Sequence, residues 1–284
     1  MKWSWSEKCP LRWAVKLLFA VLVVAGAGGC ARERIERTEW PVMGTVAAIQ
    51  VRGEGVKYLP GQREIAQTWF QWVVSEFNAF DPSSHLNRLA PLPDDEVLEA
   101  AHDPCYQAAF ELMKASGGAF NPRWRGPRTL DFGAIAKGYA VDLAALNLAT
   151  DVDALIDLGG NLKSLHGDWR TGVKDPLGEG VAAEVTLHAG EALATSATYY
   201  RGDHICDGRT NLPVTNAVAS VTVLAKSAMW ADGLSTTLFI LGPDDGRVFM
   251  ERSGRRLAGD GDCAVLWIMN DGRRIKIDPD GRFE

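Results

Sequence analysis

Cysteine is scarce in this sequence, with five residues among 284. None of them stands in a Cys-x-x-Cys pair, so the usual spacing of a zinc site is absent. Apart from Cys9 and Cys30 near the start, the cysteines are Cys105, Cys206 and Cys263. These three allow one disulfide in an oxidising compartment, but the sequence alone does not pair them.

Several common signatures of enzymes and of nucleic-acid-binding proteins are also absent. The chain contains no Gly-x-Gly-x-x-Gly or Walker loop, no Gly-x-Ser-x-Gly elbow and no internal repeat. Its net charge is −6, and residues 30–284 alone carry −9, because the first 29 residues contribute +3. An acidic protein of this kind is repelled by the phosphates of nucleic acid, so we expect no nucleic-acid partner.

The first 29 residues have the pattern of a signal peptide. Basic residues precede an apolar run over 17–24, which is too short for a permanent membrane span, and small residues follow it. The segment Ala27-Gly-Gly-Cys30 resembles the cleavage site of bacterial lipoproteins, in which the cysteine is lipidated, although Ala27 stands where leucine is usual. We therefore predict a lipidated Cys30 as the first mature residue, a tether over 30–39 and a domain over 40–284.

This N-terminal pattern also predicts a location. A lipid anchor would hold the domain at the periplasmic face of a bacterial membrane, the inner membrane being the favoured one. The alternative is a plain secretory signal that is cut nearby. Either signal places the domain outside the cytoplasm.

Apolar periodicity indicates the class of fold. Helix spacing predicts helices over 62–77, over 97–116 with a break at Asp103-Pro104, and over 227–241. Strands are predicted over 40–51 (after Gly44), 154–158, 163–165, 169–173, 181–187, 192–196 and 219–224, with a closing hairpin over 263–277. Because many strands are linked by hairpins rather than by helices, we expect an α+β fold with mixed or antiparallel sheets and packed helices.

The stretch 130–143, Leu-Asp-Phe-Gly-Ala-Ile-Ala-Lys-Gly-Tyr-Ala-Val-Asp-Leu, combines an acid with a helix start. Asp131 lies at the end of a short extended segment, and a helix is predicted from Ala134 onward. Lys137 falls in the first turn of that helix, where the helix dipole disfavours a cation. We therefore expect an anion nearby, held by Lys137 and by the free helix N–H groups. The alternative is a solvated lysine on an ordinary helix start.

Two further groups of residues have types that suit catalysis. His204, Asp207 and Arg209 lie within six positions on a predicted turn, where they suit proton transfer and anion binding. Asp232 and Thr236 are four apart and share one face of a predicted helix, which supplies two oxygen ligands of the kind that Mg²⁺ prefers. The alternatives are a surface turn with a salt bridge, and a solvated aspartate beside a threonine that bonds back to its own helix.

Taken in order, these groups resemble conserved blocks of the ApbE family, the FAD:protein FMN transferases. The blocks cover almost all of the chain after the signal. In chain order they are Met43-Gly44-Thr45, Phe80-Asp81-Pro82-x-Ser84-x-Leu86-x-Arg88-Leu89, Gly117-Gly118-Ala119-Phe120, Asp131 to Asp142, Leu158-Gly159-Gly160-Asn161, Ala194-Thr195-Ser196, His204-Ile-Cys-Asp207-x-Arg209-Thr210, and Val221 through Asp232 to Gly242.

The resemblance implies a function. Members of the family cleave FAD at its pyrophosphate, release AMP and attach FMN to a Thr or Ser hydroxyl of an acceptor flavoprotein, with Mg²⁺ as the required metal. Some members instead hydrolyse FAD, so an FAD pyrophosphatase is an alternative, and a non-catalytic FAD-binding lipoprotein is another. The implied fold is a single domain of two joined lobes with FAD between them.

The resemblance also assigns roles to individual residues. The positions implied for the flavin and for FAD are Met43, Phe80, Ala119, Phe120, Asn121, Asp131, Lys137 and Cys206. The implied metal ligands are Ala134, through its backbone oxygen, Asp232 and Thr236. His204 is the implied base that takes a proton from the acceptor hydroxyl, and we expect Asp207 to orient it.

This chain departs from the family pattern in the segment before Asp131. The interval from Phe120 to Asp131 is short, where typical members carry a much longer insert. Asn121-Pro-Arg replaces the usual Asp-x-Thr, and Gly208 replaces the proline of an Asp-Pro-Arg motif. These departures leave the implied metal and FAD positions in place, and they bear on the acceptor surface and on adenine specificity.

Overall fold

The computed structural model describes residues 34–148, 152–198, 205–259 and 263–284. The helices in these ranges are α1 (Leu59–Phe77), α2 (His85–Leu89), α3 (Asp94–Ala101), α4 (Pro104–Ala115), α5 (Ala136–Asn147), α6 (Ala228–Phe249) and α7 (Arg255–Ala258). The strands are β1 (Ile35–Val42), β2 (Thr45–Arg52), β3 (Ala154–Leu158), β4 (Asn161–Ser164), β5 (Trp169–Lys174), β6 (Val181–Leu187), β7 (Ala192–Ala197), β8 (Cys206–Asp207), β9 (Leu212–Pro213), β10 (Val218–Ala225), β11 (Ala264–Met269) and β12 (Arg274–Ile277).

One large antiparallel sheet organises the described residues. Its strand order is β1-β2-β3-β4-β7-β10-β11-β12, and β5 with β6 and β8 with β9 form two small separate hairpins. The predicted α+β class is confirmed, including the closing hairpin of β11 and β12. Among the described residues, no helix combines the length and the apolar composition that a membrane span requires.

The large sheet is buried on both faces. Val223 and Ile156 belong to the core that the helices share, whereas their neighbours Leu224 and Leu155 belong to a second core with β5, β6 and Phe283. Successive side chains of a strand point to opposite faces, so these strands contribute to two cores at once. This explains why every residue of β3, β10 and β11 is buried and why most of these residues are apolar.

The predicted tether is wrong from Ile35 onward. Strand β1 pairs with β2 over its whole length, through a two-residue loop of Met43 (φ 51°) and Gly44 (φ 68°). Two consecutive positive φ angles fit the tight hairpin turn that matches strand twist. Because β1 is an edge strand with exposed charged residues, it lacks the apolar alternation by which a strand is recognised in sequence.

Two helices have boundaries that differ from those predicted from the sequence. No strand forms at 130–132, residues 133–135 make a turn, and α5 begins at Ala136 rather than at Ala134. The helix predicted to end at Leu241 continues as α6 to Phe249, with a break in helical geometry at Gly242 (φ 70°), before Pro243. Neither Cys105 nor Cys263 forms a disulfide; both are buried free thiols.

Candidate active site at the crossing of two helices

Helices α5 and α6 approach each other closely at Gly138. A Cβ atom built on Gly138 would lie 2.1 Å from the carbonyl oxygen of Ala228 and 2.8 Å from the Cβ of Asp232. Real Cβ atoms essentially never make such contacts, so the crossing requires glycine here. The close approach brings the first turn of α5 against the side chain of Asp232.

Asp232 is the anion that Lys137 faces. The Lys137 Nζ lies 3.0 Å from Oδ1 and 3.3 Å from Oδ2 of Asp232, and the backbone N–H of Gly138 donates to Oδ2 at 3.0 Å. Asp232 is only 4% exposed. The alternatives of a solvated lysine and a solvated aspartate are therefore wrong. The carboxylate also serves the N-terminus of α5, whose flanking residue Ile135 offers no side-chain cap.

A second carboxylate at this crossing, that of Asp142, accepts from the N-terminus of the other helix. Asp142 of α5 accepts hydrogen bonds from the backbone N–H groups of Ala228 (3.0 Å) and Met229 (2.9 Å) at the start of α6, and from the Ser227 hydroxyl (2.7 Å). Lys163 of β4 forms an ion pair with Asp142 at 3.0 Å. Each helix thus supplies a carboxylate that accepts from the first turn of the other, from one N–H group in α5 and from two in α6.

A group of hydroxyls continues from Asp232 along α6. The Ser196 hydroxyl of β7 lies 2.8 Å from that of Ser235 and 3.0 Å from that of Thr236. The Ser235 hydroxyl donates in turn to the carbonyl oxygen of Asp232 at 2.9 Å. The threonine that bonds back to its own helix is the neighbouring Thr237, so Thr236 faces the hydroxyls of this site.

The segment 118–121 packs against the turn that follows β8. Gly208 donates its N–H to the carbonyl oxygen of Ala119 at 2.9 Å, and the Asn121 side chain donates to the Gly208 carbonyl at 3.3 Å. A Cβ on Gly208 would lie 2.2 Å from the Cβ of Asn121 and 2.6 Å from the Gly118 carbonyl oxygen. The glycine in place of the family's proline therefore permits a close contact between two segments that the resemblance assigns to the FAD site.

In that turn Asp207 is bound by Arg209. The Arg209 guanidinium contacts both carboxylate oxygens, at 2.9 Å for Oδ1 and at 2.6 Å for Oδ2. These hydrogen bonds hold the pKa of Asp207 below its ordinary value, so Asp207 is ionised near neutral pH. Burial raises the pKa of the adjacent Cys206 thiol, which favours its neutral form.

An arginine joins three of the predicted FAD positions. Arg125 stacks over the rings of Phe80 (4.9 Å) and of Trp124 (4.8 Å) and forms an ion pair with Asp131 at 3.0 Å. The charges of Arg125 and Asp131 also act on the thiol of Cys206. Phe80 is 70% exposed, so this group lies at the surface.

The predicted site residues thus fall into three described groups. The first comprises Lys137, Asp232 and Thr236, with Ala134 in the turn just before α5; the second comprises Ala119, Asn121 and Asp207; the third comprises Phe80, Asp131 and Cys206. Met43 lies in the turn between β1 and β2. Thr45, two residues later, lies so close to Gly159 that a Cβ on Gly159 would be 2.6 Å from the Thr45 hydroxyl oxygen. Phe120 is buried in the main core. His204 and Cys30 lie outside the described residues. The predicted roles in binding and catalysis stay predictions.

Residue-by-residue reading missed the partners that hold these groups in place. Ser196, Ser235 and Asp142 were not distinguished from their neighbours, because a hydroxyl or an acid at a strand or helix position carries no local sign of its partner. Arg125 lies in the short segment before Asp131, and its residue type gives no local sign of the two rings and the carboxylate that it contacts. Gly138 is a partial exception, since a glycine inside a predicted helix disfavours it and points to a packing or functional reason.

Comparison with known proteins gives a consistent result. A family model described as the ApbE family matches residues 124–258. The chain is 38% identical over 157 residues to the FAD:protein FMN transferase of Rhodobacter capsulatus, across 50% of this chain and 28% of that protein. It is 36% identical over 138 residues to the FAD:protein FMN transferase of Vibrio cholerae serotype O1, across 43% of this chain and 41% of that protein. These matches span less than half of the length of either relative.

Solved structures share the fold. The Flavin Transferase ApbE from Vibrio cholerae superposes with a TM-score of 0.67 at 21% identity, over 87% of this chain and 98% of that one. The ApbE protein from Thermotoga maritima superposes with a TM-score of 0.70 at 22% identity, over 86% of this chain and 97% of that one. At such identities the likeness establishes a common architecture for nearly the whole described chain.

Proposed function

We propose that the chain is a member of the ApbE family, whose model matches residues 124–258, and that it transfers FMN from FAD to a Thr or Ser hydroxyl of an acceptor flavoprotein and releases AMP. The observation that carries the proposal is the α5–α6 crossing. There a buried carboxylate, a lysine and a helix N-terminus meet beside three hydroxyls. These residues, Lys137, Asp232 and Thr236 among them, lie inside the segment that the family model matches.

The same crossing supports a magnesium site. Asp232 offers carboxylate oxygens and Thr236 a hydroxyl oxygen, and the backbone oxygen of Ala134 completes the set that the family pattern implies. Hard oxygen donors of this kind fit Mg²⁺, which takes few protein ligands and binds substrate phosphates as well. When bound, the ion would neutralise charge on the pyrophosphate as AMP leaves. The Lys137 ammonium shares the Asp232 carboxylate, so the ion has to bind beside it or displace it.

The residues of the chain itself supply position and charge. Lys137, which is partly exposed, brings a cation to the edge of the site, where a phosphate oxygen can accept from it. We assign to His204 the removal of the proton from the acceptor hydroxyl, because the ordinary pKa of histidine suits this step near neutral pH. Asp207 is already paired with Arg209, so it would orient His204 as an ionised carboxylate with one partner in place.

The test supplies purified protein with FAD, Mg²⁺ and a candidate acceptor, and follows AMP release and covalent flavin on the acceptor. Covalent flavin supports the transferase, whereas free FMN and AMP alone indicate a pyrophosphatase with water as acceptor. An absence of any FAD cleavage would contradict both.

A matched pair of variants tests the metal ligand. Asp232→Asn and Asp142→Asn each remove one charge from a carboxylate that serves a helix N-terminus at the same crossing. We expect Asp232→Asn to abolish Mg²⁺-dependent FAD cleavage and Asp142→Asn to retain it at a temperature where both are folded. Equal activity of Asp232→Asn and the wild-type protein would contradict the assignment.

We further propose that Cys30 carries a lipid and that the domain faces the periplasm from a bacterial membrane. The support is the Ala27-Gly-Gly-Cys30 segment at the end of a signal-like sequence. Cys30→Ala should move the protein from the membrane fraction to the soluble fraction after cell fractionation. Retention of the variant in the membrane fraction would contradict a lipid anchor at this cysteine.

A further inference from the structure

The short segment before Asp131 is fastened by one of its arginines. Arg123 donates from Nε to Asp94 at 2.6 Å and from its terminal nitrogens to the carbonyl oxygens of Ala90 (2.8 Å), Leu92 (2.7 Å) and Pro127 (2.8 Å). Its donors are therefore engaged within the protein. This arginine anchors the loop to the turn between α2 and α3.

Arg125, two residues later in the chain, has different contacts from Arg123. Its guanidinium carbon lies 4.9 Å from the centre of the Phe80 ring and 4.8 Å from that of the Trp124 ring, and its Nε faces Asp131 at 3.0 Å. Within the described residues, no acceptor lies against its two terminal nitrogens, and the side chain is 36% exposed. A guanidinium group that contacts two rings and a carboxylate has lost much of its rotational freedom in advance, so it binds a ligand at a reduced entropic cost.

Two other cations of the described site, Lys137 and Arg209, are already paired with carboxylates. Lys137 contacts both oxygens of Asp232, and Arg209 contacts both oxygens of Asp207. The protein outside the signal is strongly acidic, so an anionic substrate needs a local positive charge to approach it. Arg125 provides such a charge with terminal nitrogens that face outward. It also contacts Phe80 and Asp131, which the family pattern assigns to FAD.

We propose that Arg125 is a further substrate-binding residue, whose terminal guanidinium nitrogens bind a phosphate oxygen of the flavin nucleotide. This inference rests on the proposed function, and it adds a phosphate contact from the short segment that replaces the family's longer insert. Guanidinium and phosphate form paired charge-assisted hydrogen bonds, which a lysine reproduces only in part.

The experiment measures equilibrium binding of FAD, FMN and riboflavin to the full protein by quenching of flavin fluorescence. Arg125→Gln is compared with Arg125→Lys and with the matched control Arg128→Gln, which changes an exposed arginine of the same loop that has no assigned contact. We expect Arg125→Gln to weaken FAD and FMN about 10- to 100-fold, to leave riboflavin unchanged and to reduce the salt dependence of FAD binding. Arg125→Lys should be intermediate, and Arg128→Gln should match the wild-type protein.

Three results would overturn the inference. One is unchanged FAD affinity in Arg125→Gln, and another is an equal loss for riboflavin, which would assign Arg125 to the flavin ring or to loop packing. The third is a similar loss in Arg128→Gln, which would indicate a diffuse effect of charge. If the wild-type protein cleaves FAD, none of these three results contradicts the proposed function. If the wild-type protein binds no flavin nucleotide, both the role of Arg125 and the proposed function are contradicted.

Discussion

Replacing Gly138 by alanine tests the geometry on which the site depends. The added methyl group would meet the carbonyl oxygen of Ala228 at 2.1 Å and the Cβ of Asp232 at 2.8 Å. The nearest atom belongs to the backbone of another helix, so a side-chain rotation cannot relieve the contact. We expect α5 and α6 to move apart, which also displaces the Asp232 carboxylate from Lys137.

Two opposing effects set the size of the change. Alanine is favoured over glycine inside a helix by about 1 kcal/mol. Overpacking of an interior costs roughly 1–3 kcal/mol and occasionally more, and a contact with backbone belongs at the upper end. The net loss for Gly138→Ala should therefore be about 2 kcal/mol, or a fall in melting temperature of roughly 4–8 °C for a domain of this size.

Gly61→Ala is the matched control for this prediction. Gly61 lies in the first turn of α1, and a Cβ there would meet nothing within 4 Å. This variant should raise the free energy of unfolding by up to about 1 kcal/mol, because alanine restricts the unfolded chain without a new contact. Urea denaturation of both variants measures the two changes in the free energy of unfolding. If Gly138→Ala stabilised the protein as much as Gly61→Ala, the close approach of α5 and α6 would be refuted.

Three other predictions concern charge and burial. Asp142→Ala should lower the free energy of unfolding by about 1–3 kcal/mol in urea titrations, because the start of α6 loses its acceptor; a change within about 0.5 kcal/mol would contradict this role. Burial alone would raise the pKa of Glu191, but its hydrogen bonds with Arg282 hold the pKa below its ordinary value. The stability that this pair contributes is therefore present above about pH 4 and is lost as the pH falls further, and Glu191→Gln should weaken the acid dependence of the urea midpoint. Burial raises the pKa of Cys105 and raises that of Cys263 to about 12, so neither thiol should react with an alkylating reagent until the protein is unfolded, as mass spectrometry of labelled peptides can show.

The local features of the fold were predictable because they depend on neighbours in sequence. The helix at α1, the break at Asp103-Pro104 before α4, and the hairpin of β11 and β12 follow from apolar spacing, a proline and a turn sequence. Strand β1 was missed because an edge strand with charged residues carries no such spacing. The order of strands in the large sheet depends on contacts between distant segments, which periodicity does not encode.

The candidate site shows the same division. The sequence pointed to an anion near Lys137, with a solvated lysine as the alternative, since a cation in the first turn of a helix opposes the helix dipole. Which anion it faces was decided only by tertiary structure: the close crossing at Gly138 places Asp232, 95 positions away in the chain, within 3.0 Å of Lys137. The reciprocal role of Asp142 and the contacts of Arg125 with two rings likewise arise from packing. Residue type and spacing therefore determined which charged and hydroxyl groups this chain carries, and the approach of two helices determined where its charges meet.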